Sequence, residues 1–210
     1  MRDIFLDRDG VINENSHKHV KNWEEFVFLP NVLKTLRWLH LAGFRVFVVT
    51  NQAIVSRGQA THATIEDIHT RMIAQVEMHG GSITDVRYCP HDNHEQCACR
   101  KPHPGMLFDL AQQWQIDLSR AYLVGDALTD IAAARSAGCR AVLVRTGRGA
   151  QQIHRPEIKL HQPDYIVPDL MGAVQWVFRQ EWLPLPDTET ELLQREIGYS
   201  SQPALVRPGV

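Results

Sequence analysis

Two aspartates one residue apart, Asp7 and Asp9, follow the apolar run Ile4-Phe5-Leu6 and precede Gly10. Residues i and i+2 of an extended chain project to the same side, so both carboxylates can face one site while glycine lets the backbone turn sharply behind them. One member of such a pair can attack while the other handles protons. A carboxylate is already ionised at neutral pH and needs no base to become a nucleophile, but it repels a phosphate dianion, so a cation must bridge them. The pair points to chemistry on a phosphate, with Mg²⁺ on oxygen ligands and a fixed positive side chain supplying the compensating charge.

Three other segments bear residues of matching chemistry: Thr50-Asn51-Gln52, Arg100-Lys101-Pro102, and Gly125-Asp126 with Asp130 four residues on. A single Asp after a strand is more often a turn former or a cap than a catalyst, so the signal is the order and spacing of all four. The elements that must position them alternate regularly. Strands are expected over Asp3–Leu6, Arg45–Thr50, Asp85–Cys89, Ala121–Gly125, Ala141–Val144 and Tyr165–Val167. Helices are expected over Asn31–Leu41, Thr61–His79, Pro104–Trp114 and Thr129–Ala137, from apolar residues recurring at helical spacing. Asn31 and Thr61 read as N-caps, Pro104 as a first-turn proline, and Gly43, Gly80 and Gly138 as stops. The βαβα order implies an α/β fold, a parallel sheet with helices on both faces and its ligand site at the carboxyl ends of the strands. Asp7 and Asp9, Thr50-Asn51-Gln52, Cys89 and Asp126 fall at or just after strand ends, where that rule puts them.

The 210 residues, 44% apolar and 22% charged, suit one globular domain over 1–181 with a tail over 182–210. Four prolines there bracket a short amphipathic stretch, Thr188–Glu196. The formal net charge of −2, with both signs interspersed, argues against nucleic acid as a partner. The N-terminus has no basic-then-apolar signal pattern, and the longest apolar run, Val46 to Val49, is too short to span a membrane. The expectation is a cytoplasmic monomer acting on a small anionic molecule.

Cys89-Pro90-His91 and Cys97-Ala98-Cys99 crowd one short segment. Three thiolates and an imidazole make a closed tetrahedral set, the composition of a structural Zn²⁺ site, and a loop of this length has no core to fold on without a metal. His91 is preferred over His94 because the C-x-H and C-x-C pairs bracket the loop. A disulfide or free thiols are the alternative, disfavoured in the cytoplasm. Cys139 reads as a small buried hydrophobe.

Asp7-Arg8-Asp9-Gly10, the apolar strand ending at Thr50, the lone Lys101 and Gly125-Asp126 through Asp130 resemble the four motifs of the haloacid-dehalogenase superfamily, over residues 1–148. The resemblance implies a Rossmann-like fold, Mg²⁺ dependence and phosphoryl transfer through an aspartyl-phosphate. Asp7 is then the nucleophile and Asp9 the acid and later the base. Thr50 and Lys101 bind the transferring phosphoryl oxygens. Asp7, the carbonyl of Asp9 and Asp126 hold Mg²⁺, while Asp130 supports that shell or caps its helix. The zinc loop running into Arg100-Lys101-Pro102, Thr50-Asn51-Gln52 and Phe26–Pro30 looks like the zinc-containing branch without a cap domain. The gaps between motifs are each used up by one helix, one strand and loops. Members of that branch hydrolyse the C7 phosphate of D-glycero-D-manno-heptose 1,7-bisphosphate or, as the alternative here, histidinol phosphate. Arg100 before Lys101 favours the sugar bisphosphate, since a guanidinium suits bidentate recognition of a second phosphate. Asn51, Gln52, Asn15, Ser16, His17 and Lys18 complete the expected substrate rim. Ala53-Ile54, His19 and Ala127 depart from the branch's usual residues.

Overall fold

The computed structural model describes residues 1–16 and 19–185. Six strands, β1 (Arg2–Leu6), β2 (Phe44–Asn51), β3 (Asp85–Cys89), β4 (Tyr122–Gly125), β5 (Arg140–Val144) and β6 (Tyr165–Val167), form one sheet in the order β3-β2-β1-β4-β5-β6. Every pairing is parallel. The helices are α1 (Val32–Leu41), α2 (His62–Met78), α3 (Gly105–Trp114), α4 (Leu128–Ala137), the single turn α5 (Gly149–Gln152) and α6 (Leu170–Gln180).

Alternation along the strands builds two cores. Ile4, Leu6, Val46, Val48, Val124, Val142 and Val144 join residues of α1, α2 and α6 in one. Phe5, Phe47, Val49, Leu123, Ala141 and Leu143 join residues of α3 and α4 in the other. Strands buried on both faces read as continuous apolar runs, as these do.

The expected strands and helices form with ends shifted by at most one residue. Thr61 caps α2, its hydroxyl accepting from the Thr64 amide at 3.1 Å. Asn31 holds the position before α1 but in the left-handed region, φ 62°, with no side-chain cap bond. Its carbonyl instead accepts from the Thr35 amide and hydroxyl. Pro104 stands one residue before α3 rather than inside its first turn. Helix α6 was not expected, although Leu170, Ala173, Val174, Val177 and Phe178 recur at helical spacing and Asp169 caps it through the Gly172 amide. Trp38 is buried, whereas Trp114 and Trp176 are half-buried.

Past α6, Leu183 and Leu185 still pack on the first core. The amphipathic stretch at 188–196 lies outside the described residues. Among the described residues, no inserted domain interrupts Gly10 to Thr50 or Thr50 to Lys101, and no helix is long and apolar enough to cross a membrane.

Candidate active site

The connection leaving β1 runs to β2 and the one leaving β4 runs to β5, toward opposite halves of the sheet, so a crevice opens between the carboxyl ends of β1 and β4. Asp7 follows β1 and Asp126 follows β4, which brings residues over a hundred positions apart onto neighbouring strand ends. Asp7, Asp126 and Asp130 are buried, with one oxygen of each within 4.8 Å of the others. Lys101, also buried, reaches Asp7 Oδ1 at 2.9 Å, Asp130 Oδ1 at 2.5 Å and the Val49 carbonyl at 2.7 Å. Its three ammonium donors thus have three acceptors.

Three carboxylates around one ammonium leave negative charge in excess. Burial, with repulsion from Asp130 and Asp126 that outlasts the pull of Lys101, raises the Asp7 carboxyl to about 7. Burial and Asp130 raise Asp126 to about 6, against hydrogen bonds from the Arg148 amide and Asn15. Lys101 is pushed up by Asp130 and Asp7 despite burial. An all-oxygen, electron-rich, buried donor set of this kind fits a hard divalent cation.

Asp126 is wedged between two glycines. Gly10 (φ +89°) and Gly147 (φ +56°) sit so close that a Cβ on either would run into its Oδ2. The same oxygen accepts from the Arg148 amide at 2.8 Å and Asn15 Nδ2 at 3.1 Å. Thr146 Oγ1 donates to the Gly10 carbonyl at 2.6 Å, tying the loop after β5 to the loop after β1. Asp130 pairs with Lys101 and accepts from the Ala127 amide at the start of α4.

Asp9 is turned to a different set of partners. Arg8 Nη2 donates to both its oxygens at 3.0 and 2.9 Å, Asn13 Nδ2 to Oδ1 at 2.8 Å and Gln52 Nε2 to Oδ2 at 2.8 Å. Burial opposes ionisation, but Arg8 and these amides outweigh it and hold the carboxyl below its ordinary value. Gln52 also donates to Thr50 Oγ1 at 2.9 Å. Sequence reasoning passed over Arg8, Asn13 and His69, whose Nε2 lies 3.2 Å from Arg8 Nη1.

The Cys/His loop closes beside this site. Its cysteine sulfurs lie 3.2 to 3.5 Å apart, and His91 Nδ1 lies 3.3 Å from Cys99 Sγ and 3.6 Å from Cys89 Sγ. A tetrahedron with bonds of about 2.3 Å has edges of roughly 3.8 Å, so a zinc-sized ion fits with little adjustment. His91, and not His94, belongs to the cluster. Cys139 is buried, its thiol pushed up to about 12 by burial. Asn51 fixes the end of the loop with both ends of its amide, donating to the Lys101 carbonyl at 3.0 Å and accepting from the Lys101 amide at 3.1 Å. Arg100 donates to Asn93 Oδ1 at 2.6 Å and to the His91 carbonyl at 3.1 Å.

A cavity of about 570 Å³ opens over these groups and brings together Asp7, Asp9, Asn15, Thr50, Asn51, Gln52, Arg100, Lys101 and Asp126. Its rim adds Arg148, His19 and Arg57, the last paired with Asp92 at 2.7 Å. Ala53, Ile54 and Ala127 line it as well. Ser16 is exposed beside Asn15 and does not line the cavity. His17 and Lys18 lie outside the described residues.

Residues 98–173 match a HAD-hydrolase-like family model. The chain is 42% identical over 162 residues to the D-glycero-beta-D-manno-heptose-1,7-bisphosphate 7-phosphatase of Pseudomonas putida, covering 76% of this chain and 93% of that protein. To the enzyme of the same name from Escherichia coli K12 it is 39% identical over 182 residues, covering 83% and 86%. Among solved structures it resembles the D,D-heptose 1,7-bisphosphate phosphatase of B. bronchiseptica complexed with magnesium and phosphate. That likeness has a TM-score of 0.79 at 36% identity and covers 86% of this chain and 99% of that one. With its parallel sheet and its acidic pair at the end of β1, the chain belongs to the haloacid-dehalogenase-like hydrolases, as an enzyme of the phosphatase type.

Proposed function

We propose that this protein removes the C7 phosphate of D-glycero-D-manno-heptose 1,7-bisphosphate through an aspartyl-phosphate on Asp7. The observation that carries the reading is the buried cluster of Asp7, Asp126 and Asp130 around Lys101, opening on a cavity rimmed by Arg57, Arg100 and Arg148. The names and high coverage of the relatives support the substrate.

Asp7 attacks phosphorus, and the bond from phosphorus to the sugar oxygen breaks. Asp9 gives its proton to that oxygen, then takes one from the water that attacks the aspartyl-phosphate and frees Asp7 and inorganic phosphate. At rest Asp9 is held ionised by Arg8, the form that serves as base. An incoming phosphate dianion raises its pKa by like-charge repulsion, which lets it carry the proton of the first step. Thr50 and Lys101 steady the phosphoryl oxygens. Arg100, braced by Asn93 and the His91 carbonyl, faces the second phosphate, and Asn15, Asn51 and Gln52 make up the sugar rim. Mg²⁺ held by Asp7, the Asp9 carbonyl and Asp126 would supply the charge that lets a carboxylate approach a phosphate dianion. Zn²⁺ on Cys89, His91, Cys97 and Cys99 would fix the loop that delivers Arg100 and Lys101. The protein is read as a cytoplasmic monomer, and the formal net charge of −2 supports a small sugar phosphate, and no nucleic acid, as its ligand.

The test is phosphate release in Mg²⁺ from both anomers of the heptose bisphosphate, histidinol phosphate and other sugar phosphates. A kcat/KM for a heptose bisphosphate about a hundredfold above the rest, roughly 2.7 kcal/mol, is expected. A preference for histidinol phosphate would replace the substrate and keep the chemistry. Asp7→Asn is expected to fold and to lose turnover, and unchanged turnover would refute Asp7 as nucleophile.

A further inference from the structure

We propose that His69, on α2 and outside the cavity lining, is a positioning residue for Asp9 and acts through the buried guanidinium of Arg8. The inference rests on the reading of Asp9 as the group that protonates the leaving oxygen.

Arg8 is fully buried, an expensive place for a charge unless every donor is matched. Its Nη2 and Nε edge is spent on Asp9, and its Nη1 lies 3.2 Å from His69 Nε2. A guanidinium has donors only, so Nε2 must accept and the ring is neutral with its proton on Nδ1. Burial and the Arg8 charge enforce that state by pushing the imidazole down to about 3. His69 is in turn held edge-on against Tyr88 of β3, ring centroids 5.5 Å apart. The Tyr88 hydroxyl lies 2.8 Å from His62 Nδ1 of the same helix.

The consequence is geometric. A guanidinium is a rigid planar fork, so fixing Nη1 fixes the plane in which the opposite edge meets Asp9. Without an acceptor at position 69, the buried Nη1 has lost its partner, and the fork must turn to find another. Asp9 turns with it, because Arg8 touches both its oxygens. Misplacing a proton donor by about an ångström costs on the order of a hundredfold, and general acid catalysis contributes about 10² to 10⁴.

Leaving-group dependence separates this role from general destabilisation. A sugar alkoxide must be protonated as it departs, whereas 4-nitrophenolate leaves without a proton, and kcat/KM reports only the steps through that departure. His69→Leu removes the acceptor, and His69→Gln restores one on an amide oxygen. His69→Leu is expected to lower kcat/KM at least about tenfold for the sugar phosphate and less than about twofold for 4-nitrophenyl phosphate. His69→Gln recovers most of the loss. Arg8→Lys, which keeps the charge without the fork, gives the same selective loss and serves if His69→Leu does not fold. Equal losses on both substrates, no loss, or a His69→Gln no better than His69→Leu would overturn the proposal. Asp9→Asn is the control: if it shows no leaving-group selectivity, the assignment of Asp9 as acid fails and this inference with it. If only the His69 and Arg8 variants lack selectivity, the inference alone fails.

Discussion

At the scale of single residues, the site depends on what is missing as much as on what is present. Asp126 has room for its carboxylate because neither Gly10 nor Gly147 carries a Cβ, and both adopt positive φ that a side chain disfavours. Gly147→Ala forces the methyl group into Asp126 Oδ2, so Mg²⁺ affinity measured by calorimetry should fall about tenfold or more while the fold persists. Wild-type affinity would mean that the loop yields at no cost. The Asp7 and Asp9 pair was legible because spacing alone puts two carboxylates on one side of a strand end. The partners of Asp9 were not. Arg8 is its chain neighbour, which in an extended segment points the other way, and His69 lies 61 residues along the chain from Arg8. Neither contact has a signature in local spacing.

At the scale of elements, strands and helices were readable because burial on both sheet faces makes apolar runs, and helices between them show a clear period. Helix α6 carried the same signal and was passed over, since the chain around it reads toward a proline-rich tail. The Cys/His loop was legible as a candidate ligand set, but its joint with β2 emerges only from the structure. Asn51 at the end of β2 grips the backbone of Lys101 from both sides, so the loop and the strand share one register. Loss of the loop's metal should therefore be felt at Lys101 more than in the core. For Cys97→Ser the expected outcome is zinc content near zero, new proteolytic cleavage between residues 92 and 97, and activity down about tenfold. Metal-depleted protein with full activity would separate the loop from the site.

At the scale of the whole molecule, the topology concentrates acidic residues at one switch point, and folding must carry that charge. In the folded chain without a bound cation, Asp7 keeps its proton up to about pH 7 and Asp126 up to about pH 6. In the unfolded chain both ionise near pH 4. The folded state therefore binds more protons in that window. The stability these groups contribute is complete below about pH 4 and is lost as pH rises through 6 to 7. Lys101, shifted upward, stays charged throughout and adds no slope there. A divalent cation must displace the protons below pH 7 but meets ready carboxylates above it, so its stabilisation grows with pH. One displaced proton is worth about 1.4 kcal/mol per pH unit, and about 1 kcal/mol moves the Tm of a domain this size by roughly 2–4 °C. The rise in Tm produced by saturating Mg²⁺ over a chelator should be at least about 3 °C larger at pH 8 than at pH 5.5. An equal rise at both pH values would show that the carboxylates are already ionised at pH 5.5, and that Lys101 alone balances the cluster.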